Sequence, residues 1–311
     1  MLYWTRQSAR GLPRLHIMRS RGGDAFVGIS GYDYKGWRGR FYPPEVPARR
    51  WLAYASRQFN SIELNGTFYS LKSPAVFERW AAEAPDDFTF AIKGGRFITH
   101  NLKLRNVEAS LGNFFASGVL TLGEKTGPFL WQLPGTYRFE ADRLDGFMRR
   151  LPRDSLQGEA VARKHDHRLR RGACVDRVAD AEYRHAFEVR HPTYFCREFF
   201  DLLRAHRCAF VVADTAGKFP YAEEVTADFV YVRLHGSREL YASGYTVAEL
   251  DGWAGKIDAW RSEGRDVYVY FDNDAKVHAP FDAIRLGERL RQLRQPLAYP
   301  RTPRYIHRTP R

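Results

Sequence analysis

The feature that most constrains this chain is the repetition of one unit: a short apolar, β-rich run followed by an amphipathic helical pattern. From Ala25 onward the runs fall at 25–30, 61–65, 88–93, 128–132, 185–190, 209–214, 228–235 and 266–272. Helical patterns fall at 48–59, 75–84, 107–118, 198–206, 247–264 and 279–294. Strands that alternate with helices pair in parallel, because the crossover helix returns the chain to the same end of the sheet. Eight such units predict an α/β fold, a single (β/α)8 TIM-type barrel with a parallel eight-stranded core. A doubly wound open sheet is the rival arrangement of the same units.

Two segments interrupt the alternation. Residues 31–47 are rich in Gly, Pro and aromatics and read as a long first loop over the barrel mouth. Residues 152–183 read as a polar, basic insert before the fifth strand. The connection from Asp214 to Asp228 leaves room for only a vestigial helix.

The net charge of +13 suggests a nucleic-acid partner until it is located. Residues 1–23 hold five arginines and no acid, and residues 291–311 hold six arginines and no acid. Without those eleven, the body 24–290 carries only +2. The expected organisation is a disordered basic leader (1–23), with Met18 as another start, one barrel over 24–290, and a basic C-terminal tail (291–311). Such tails attract polyanions without sequence preference, so nucleic acid enters as a partner through them and not through the barrel. The three cysteines, Cys174, Cys196 and Cys208, are odd in number and contain no C-x-x-C pair. A disulfide framework or structural zinc is not expected, and a reducing, cytoplasmic setting fits. No run of 18 apolar residues occurs, so no membrane span is expected.

Side chains alternate along a strand, so positions i and i+2 share a face. Counted back from the C-terminal end of each run, one face carries Ser30, Glu63 with Asn65, Lys93, Gln132, Glu188 with Arg190, Asp214, Arg233 with His235, and Asp272. Every strand therefore ends in a polar or charged residue, and in a barrel these ends converge at the face where active sites sit. Burying that many charges is costly unless each is paired, and clustered ionisable groups mark functional sites. The bland alternative is a ring of structural salt bridges, with Arg233 bridging Asp214 or Asp272.

Seven stretches then resemble a known family in order along the chain. They are SGYDYKGWRGRFYP (30–43), FNSIELNGTFY (59–69), FAIKGGRFITH (90–100), PFLWQLP (128–134), FEVRHPTYF (187–195), YVRLHG (231–236) and YFDNDAKVHAPFDA (270–283). They resemble the YecE-like family, domain of unknown function 72, over about residues 24–290. The resemblance implies a (β/α)8-type barrel and a soluble bacterial-type protein, and implies no particular chemistry. This chain departs from the family pattern at Tyr32, where Trp is common. It also departs at Asp272 and Asp282, where Asn is common, and at Val277, where Gly is common.

The residues support three function classes. In the first, a small anionic ligand bearing phosphate or carboxylate binds at the mouth and undergoes acid/base chemistry. Glu188, Asp272, His235, Asp214 and Glu63 are the candidate catalytic groups. Arg190, Arg233, Lys93, Asn65, Tyr32, Tyr69, Gln132, Asn273 and Asp274 are the candidate ligand contacts. No cofactor is expected. The expectation for Arg233→Ala is weaker ligand binding with the barrel intact. In the second class, Glu63, Glu188, Asp214, His235 and Asp272 would hold a divalent metal for phosphodiester hydrolysis, as in a nuclease. Three cations in the ring oppose this. In the third, the protein is a non-enzymatic nucleic-acid-binding module anchored by its basic tails. Oligomeric state is not indicated.

Overall fold

A computed structural model of the protein describes residues 22–293. Most of the leader (1–21) and of the tail (294–311) lies outside the described residues. The eight strands are β1 Ala25–Ser30, β2 Ser61–Leu64, β3 Thr89–Lys93, β4 Thr126–Gln132, β5 His185–Glu188, β6 Ala209–Asp214, β7 Phe229–Leu234 and β8 Asp266–Phe271. Each pairs in parallel with the next, and β8 pairs with β1, so the sheet closes into a barrel. The open-sheet rival is excluded by that closure.

The helices cover the outside of the sheet. They are α1 Trp51–Ala55, α2 Gly66–Tyr69, α3 Pro74–Glu83, α4 Glu108–Ala116, α5 Ala141–Met148, α6 Ser155–Ala162, α7 Arg197–Ala205, α8 Val247–Ser262 and α9 His278–Leu293. Their starts follow from local chemistry. Pro74 opens α3, where its missing N–H costs nothing. Thr246 and Glu249 form a capping box at α8. Among the described residues no helix joins β6 to β7, as that short connection requires. The basic insert is partly regular: α6 forms its first part, and Asp154 bridges Glu182 beside β5.

Two apolar bodies result from the two strand faces. Outward-facing aliphatics and aromatics such as Ile29, Ile62, Ile92, Phe129, Phe187, Val232 and Val269 pack beneath the helices. The smaller inner core is Ala91, Leu130, Ala186, Val211, Tyr231, Tyr268 and Tyr270 with their neighbours. Inside the barrel, Gly28 is a space requirement. A Cβ there would lie 1.8 Å from the Ser61 carbonyl oxygen, so no larger residue fits between β1 and β2.

One strand departs from the alternation counted on the sequence. The β6–β7 register pairs Val211 with Tyr231 and Ala213 with Arg233. Val211 and Ala213 therefore face the barrel interior, whereas Phe210, Val212 and Asp214 face outward. Counting inward from the polar end misplaced this strand because its terminal carboxylate is not a member of the ring. The bulky Phe210 instead packs against Phe199 and Phe200 of α7.

Gly28→Ala places a methyl group against backbone that cannot retreat without breaking the β1–β2 ladder. A loss of about 1–3 kcal/mol is expected in urea unfolding; an unchanged midpoint would show that the two strands have slack.

Candidate functional site

The C-terminal ends of the strands meet in a charged layer organised by Arg233 of β7. This guanidinium is fully buried. Its Nε and Nη2 donate to both oxygens of Glu63 on β2, at 3.1 and 2.8 Å. Its Nη1 donates to Glu188 Oε2 on β5 at 2.6 Å. Nη2 also reaches Asp272 Oδ2, one residue beyond β8, and Ser30 Oγ of β1, at 2.9 and 2.8 Å. Tyr231, one inward position below Arg233, donates its hydroxyl to Glu63 Oε2 at 2.7 Å. Ser30 also donates to Glu63.

The planar fork of Arg suits this task because it carries five N–H donors in fixed directions. All five are engaged by the layer, so none is left for a ligand. His235 extends the network. Its Nε2 lies 3.3 Å from Arg233 Nη1, and arginine can only donate. The ring proton is therefore assigned to Nδ1, which lies 3.0 Å from Asp272 Oδ2. Burial opposes ionisation at Glu188 and Asp272. Arg233 together with the other groups around each, Arg190 and Lys93 at Glu188 and His235 and Lys93 at Asp272, outweighs it and holds both carboxyls well below their usual range.

A second shell of charge is less completely paired. Arg190 donates through Nε and Nη2 to Glu188 Oε1, at 3.0 and 2.9 Å, and through Nη2 to the Tyr241 hydroxyl at 3.2 Å. Its guanidinium lies 4.7 Å from the centroid of the Phe219 ring. Tyr241 holds its place with a left-handed backbone, φ 63°, and its ring stands edge-on to His235. Such strain in a non-glycine residue is sustained only where its surroundings over-determine it.

Lys93 ends β3 inside the same layer and is only 8% exposed. Its ammonium forms no hydrogen bond and no ion pair among the described residues. It sits 4.6 Å from the centroid of the Phe68 ring. Burial and the Arg233 charge lower its pKa to about 8, against a partial offset from Glu63, Asp272 and Glu188. The next residue, Gly94, leaves room for the Trp131 ring: a Cβ would lie 2.3 Å from it. His100 stands edge-on to Phe68, with ring centroids 5.2 Å apart. Burial, Arg96 and Lys93 lower its pKa to about 4, so its ring is neutral at physiological pH. Asn65 donates to Ser30 Oγ at 2.8 Å, and its buried Oδ1 has no partner. Gln132 is buried at the end of β4.

The structure thus brings Glu63, Asn65, Lys93, Gln132, Glu188, Arg190, Arg233, His235 and Asp272 together. Four other candidates stand elsewhere. Asp214 faces outward, accepting from the Tyr245 hydroxyl at 2.9 Å and the Ala216 N–H at 3.2 Å. With Phe219, Tyr221, Trp253 and Lys256 it lines a separate cavity of about 400 Å³. Asn273 points away from the ring to bond Asp282 and the Ser243 carbonyl, at 2.8 and 2.9 Å, and anchors α9. Tyr32 turns to the helix layer, where its hydroxyl accepts from Trp80 Nε1 at 2.7 Å. Tyr69 is 76% exposed, outside the layer. Asp274 lies at the rim beside Asp272; burial and that neighbour raise its carboxyl pKa. Its backbone carbonyl accepts from Trp37 Nε1 at 3.2 Å, which fastens the first loop over the mouth.

Phe68, His100 and Tyr241 were not among the expected contacts. Phe68 lies in α2, His100 in a helical turn after β3 and Tyr241 in the connection after β7, all beyond the strands, where alternation carries no information. Tyr34 also lies in the first loop, and its hydroxyl donates to the Ser30 carbonyl at 2.7 Å. Among the described residues no three His, Cys, Asp or Glu are grouped as metal ligands. Nor is any helix long and apolar enough to cross a membrane.

A closed parallel barrel with its polar layer at the C-terminal mouth defines a TIM-barrel protein. Within that class, residues 26–305 match the family described as "Protein of unknown function DUF72", and the chain belongs to that family. It is 30% identical over 143 residues to the UPF0759 protein YecE of Escherichia coli K12, a stretch covering 46% of this chain and 42% of that protein. This chain therefore spans less than half the length of that relative. It is 21% identical over 279 residues to the UPF0759 protein YunF of Bacillus subtilis 168, covering 80% of this chain and 89% of that one. A crystal structure of a DUF72 family protein from Thermotoga maritima MSB8 superposes with a TM-score of 0.69. It is 24% identical, and the match covers 86% of this chain and 99% of that one.

Arg233→Ala was expected to spare the fold; the buried layer predicts the opposite. Removing the guanidinium strands three carboxylates, so Arg233→Met should cost about 3–5 kcal/mol in denaturant unfolding. A variant within about 0.5 kcal/mol of wild type would show that the layer contributes little to stability. Acid should act through the same groups. The ordinary pKa values are 4.5 for Glu188 and 3.8 for Asp272, and folding depresses both. Their contribution is complete above about pH 4.5 and is lost as pH falls through the lower folded values. Stability measured from pH 6 to pH 2 should therefore fall only below that point.

Proposed function

We propose that the mouth binds a small ligand carrying a phosphate or carboxylate group and subjects it to acid/base chemistry. The observation that carries this reading is Lys93: a buried ammonium, fixed on a strand, with none of its three donors used. The layer beneath it does not need that charge for cohesion. Glu63, Glu188 and Asp272 are already bonded to Arg233, and Glu188 to Arg190 as well. A cation so largely withdrawn from water is costly, and a ligand oxygen would relieve that cost. Arg190 adds a second cation at the same rim, with its Nη1 free of protein hydrogen bonds, and Gln132 adds an amide.

The acid/base roles follow from the charges. Glu188 and Asp272 are ionised and can only accept a proton. Asp274 has the carboxyl most suited to donating one, because burial and Asp272 favour its protonated form. Asp214 takes no part, since it faces the other side of the sheet. The first loop, pinned by Trp37 to the rim, shields this chemistry from water.

Inorganic phosphate and acetate provide the first test, by thermal unfolding. A bound anion at about 100 times its Kd adds about 2.7 kcal/mol of stability. Lys93→Met should remove most of that gain, and affinity in wild type should fall about tenfold per pH unit above about 8, where Lys93 loses its proton. Stabilisation that is equal in wild type and Lys93→Met would place the anion elsewhere and overturn the reading.

A further inference from the structure

We propose that Lys93 is a nucleophilic amine, and that the mouth holds small carbonyl compounds bearing an anionic group as an imine on Nζ. An aldehyde acid or a 2-oxo acid is the substrate class. The proposal rests on the anion site above for the ligand's charged end, and adds a covalent role for the residue that the anion reading treats only as a charge.

The placement of Lys93 separates it from other lysines of the chain. Lys125 donates to the carbonyls of Ala81 and Ala84, at 2.6 and 2.9 Å. Lys256 pairs with Glu223 at 2.5 Å and Lys276 with Glu239 at 3.0 Å. Lys72 donates to Ser70 at 3.0 Å. Lys93 combines near-complete burial, a rigid strand position and unengaged donors. Its lone pair is not committed to any neighbour once the proton leaves. Desolvation is the general means by which a lysine is made nucleophilic. At pH 7.5 an amine of pKa about 8 is neutral in about a quarter of molecules, against about a thousandth for an ordinary lysine.

The step balances without an added reactant. The Nζ lone pair attacks the carbonyl carbon as the C=O π pair moves to oxygen, which takes a proton to give a carbinolamine. The C–O bond then breaks, the oxygen departs with a second proton as water, and C=N forms. Overall, the ammonium and the carbonyl give an iminium and water, with charge conserved and no change of oxidation state. The iminium keeps the positive charge where the ammonium stood, within the field of Glu63, Glu188 and Asp272. Arg233 holds those carboxylates in place, so the layer stabilises the intermediate without reorganising. Arg190, just beyond β5 and two strands round the barrel from β3, is placed to take the ligand's anionic group.

Full-length protein incubated at pH 7.5 with glyoxylate and sodium cyanoborohydride, then digested for peptide mass spectrometry, tests this directly. Of the nine lysines in the chain, Lys93 should acquire the reduced adduct at least tenfold faster than exposed Lys35, Lys103 and Lys218. Inorganic phosphate should slow labelling of Lys93 and leave the exposed lysines unaffected. Lys93→Arg keeps the charge and the length, so it should bind phosphate yet show no adduct at position 93. Labelling of surface lysines with Lys93 unmodified would overturn the imine proposal. If phosphate still stabilised wild type and Lys93→Arg in that case, the anion site would stand without the covalent step. If neither protein responded to phosphate, both readings would fall together.

Discussion

Arg233 is the group on which the mouth depends. Three carboxylates from three different strands could not share a buried layer without a cation among them, because each would meet its neighbours' repulsion in a medium of low polarity. The guanidinium resolves this with geometry as well as charge. One fork meets both oxygens of Glu63, and the remaining donors reach Glu188, Asp272, Ser30 and His235. The strands of one side of the barrel are thereby tied to those opposite. Small residues make the arrangement possible, with Gly28, Ala91, Ala186 and Ala213 leaving the interior open enough for a full-length arginine and three tyrosines.

That layer also sets the chemistry above it. With the carboxylates satisfied from below, the cations at the rim are in excess of what the fold requires. Lys93 and the free edge of Arg190 keep unused donors at the mouth, with the Phe68 ring 4.6 Å from the Lys93 ammonium. Burial, and after it the Arg233 charge that also helps hold the carboxylates ionised, lowers the Lys93 pKa.

Much of this was legible before folding. The strand positions, the closure into eight units and the ring members Glu63, Lys93, Gln132, Glu188, Arg190, Arg233, His235 and Asp272 follow from apolar runs and period-two alternation. Asp214 shows where that logic stops. A polar residue at a strand end faces inward only if the strand's register places it there, and β6 is shifted against that count. Asn273 and Tyr32 show a second limit. Both stand next to ring residues in sequence, yet both lie past the strand, where the backbone turns and adjacent side chains diverge toward Asp282 and Trp80.

By itself the sequence determined the class of fold, because eight alternating units can bury their apolar faces together only as a parallel sheet covered by helices. It also determined that charge would gather at one end of that sheet. Tertiary structure alone decided how the charges divide: which carboxylates share Arg233, which cation is left over, and which loop aromatics stand beside it. The reason is that pairing depends on distances across the barrel between residues up to 203 positions apart, such as Ser30 and Arg233. No local pattern in the chain encodes those distances; they exist only once the sheet has closed.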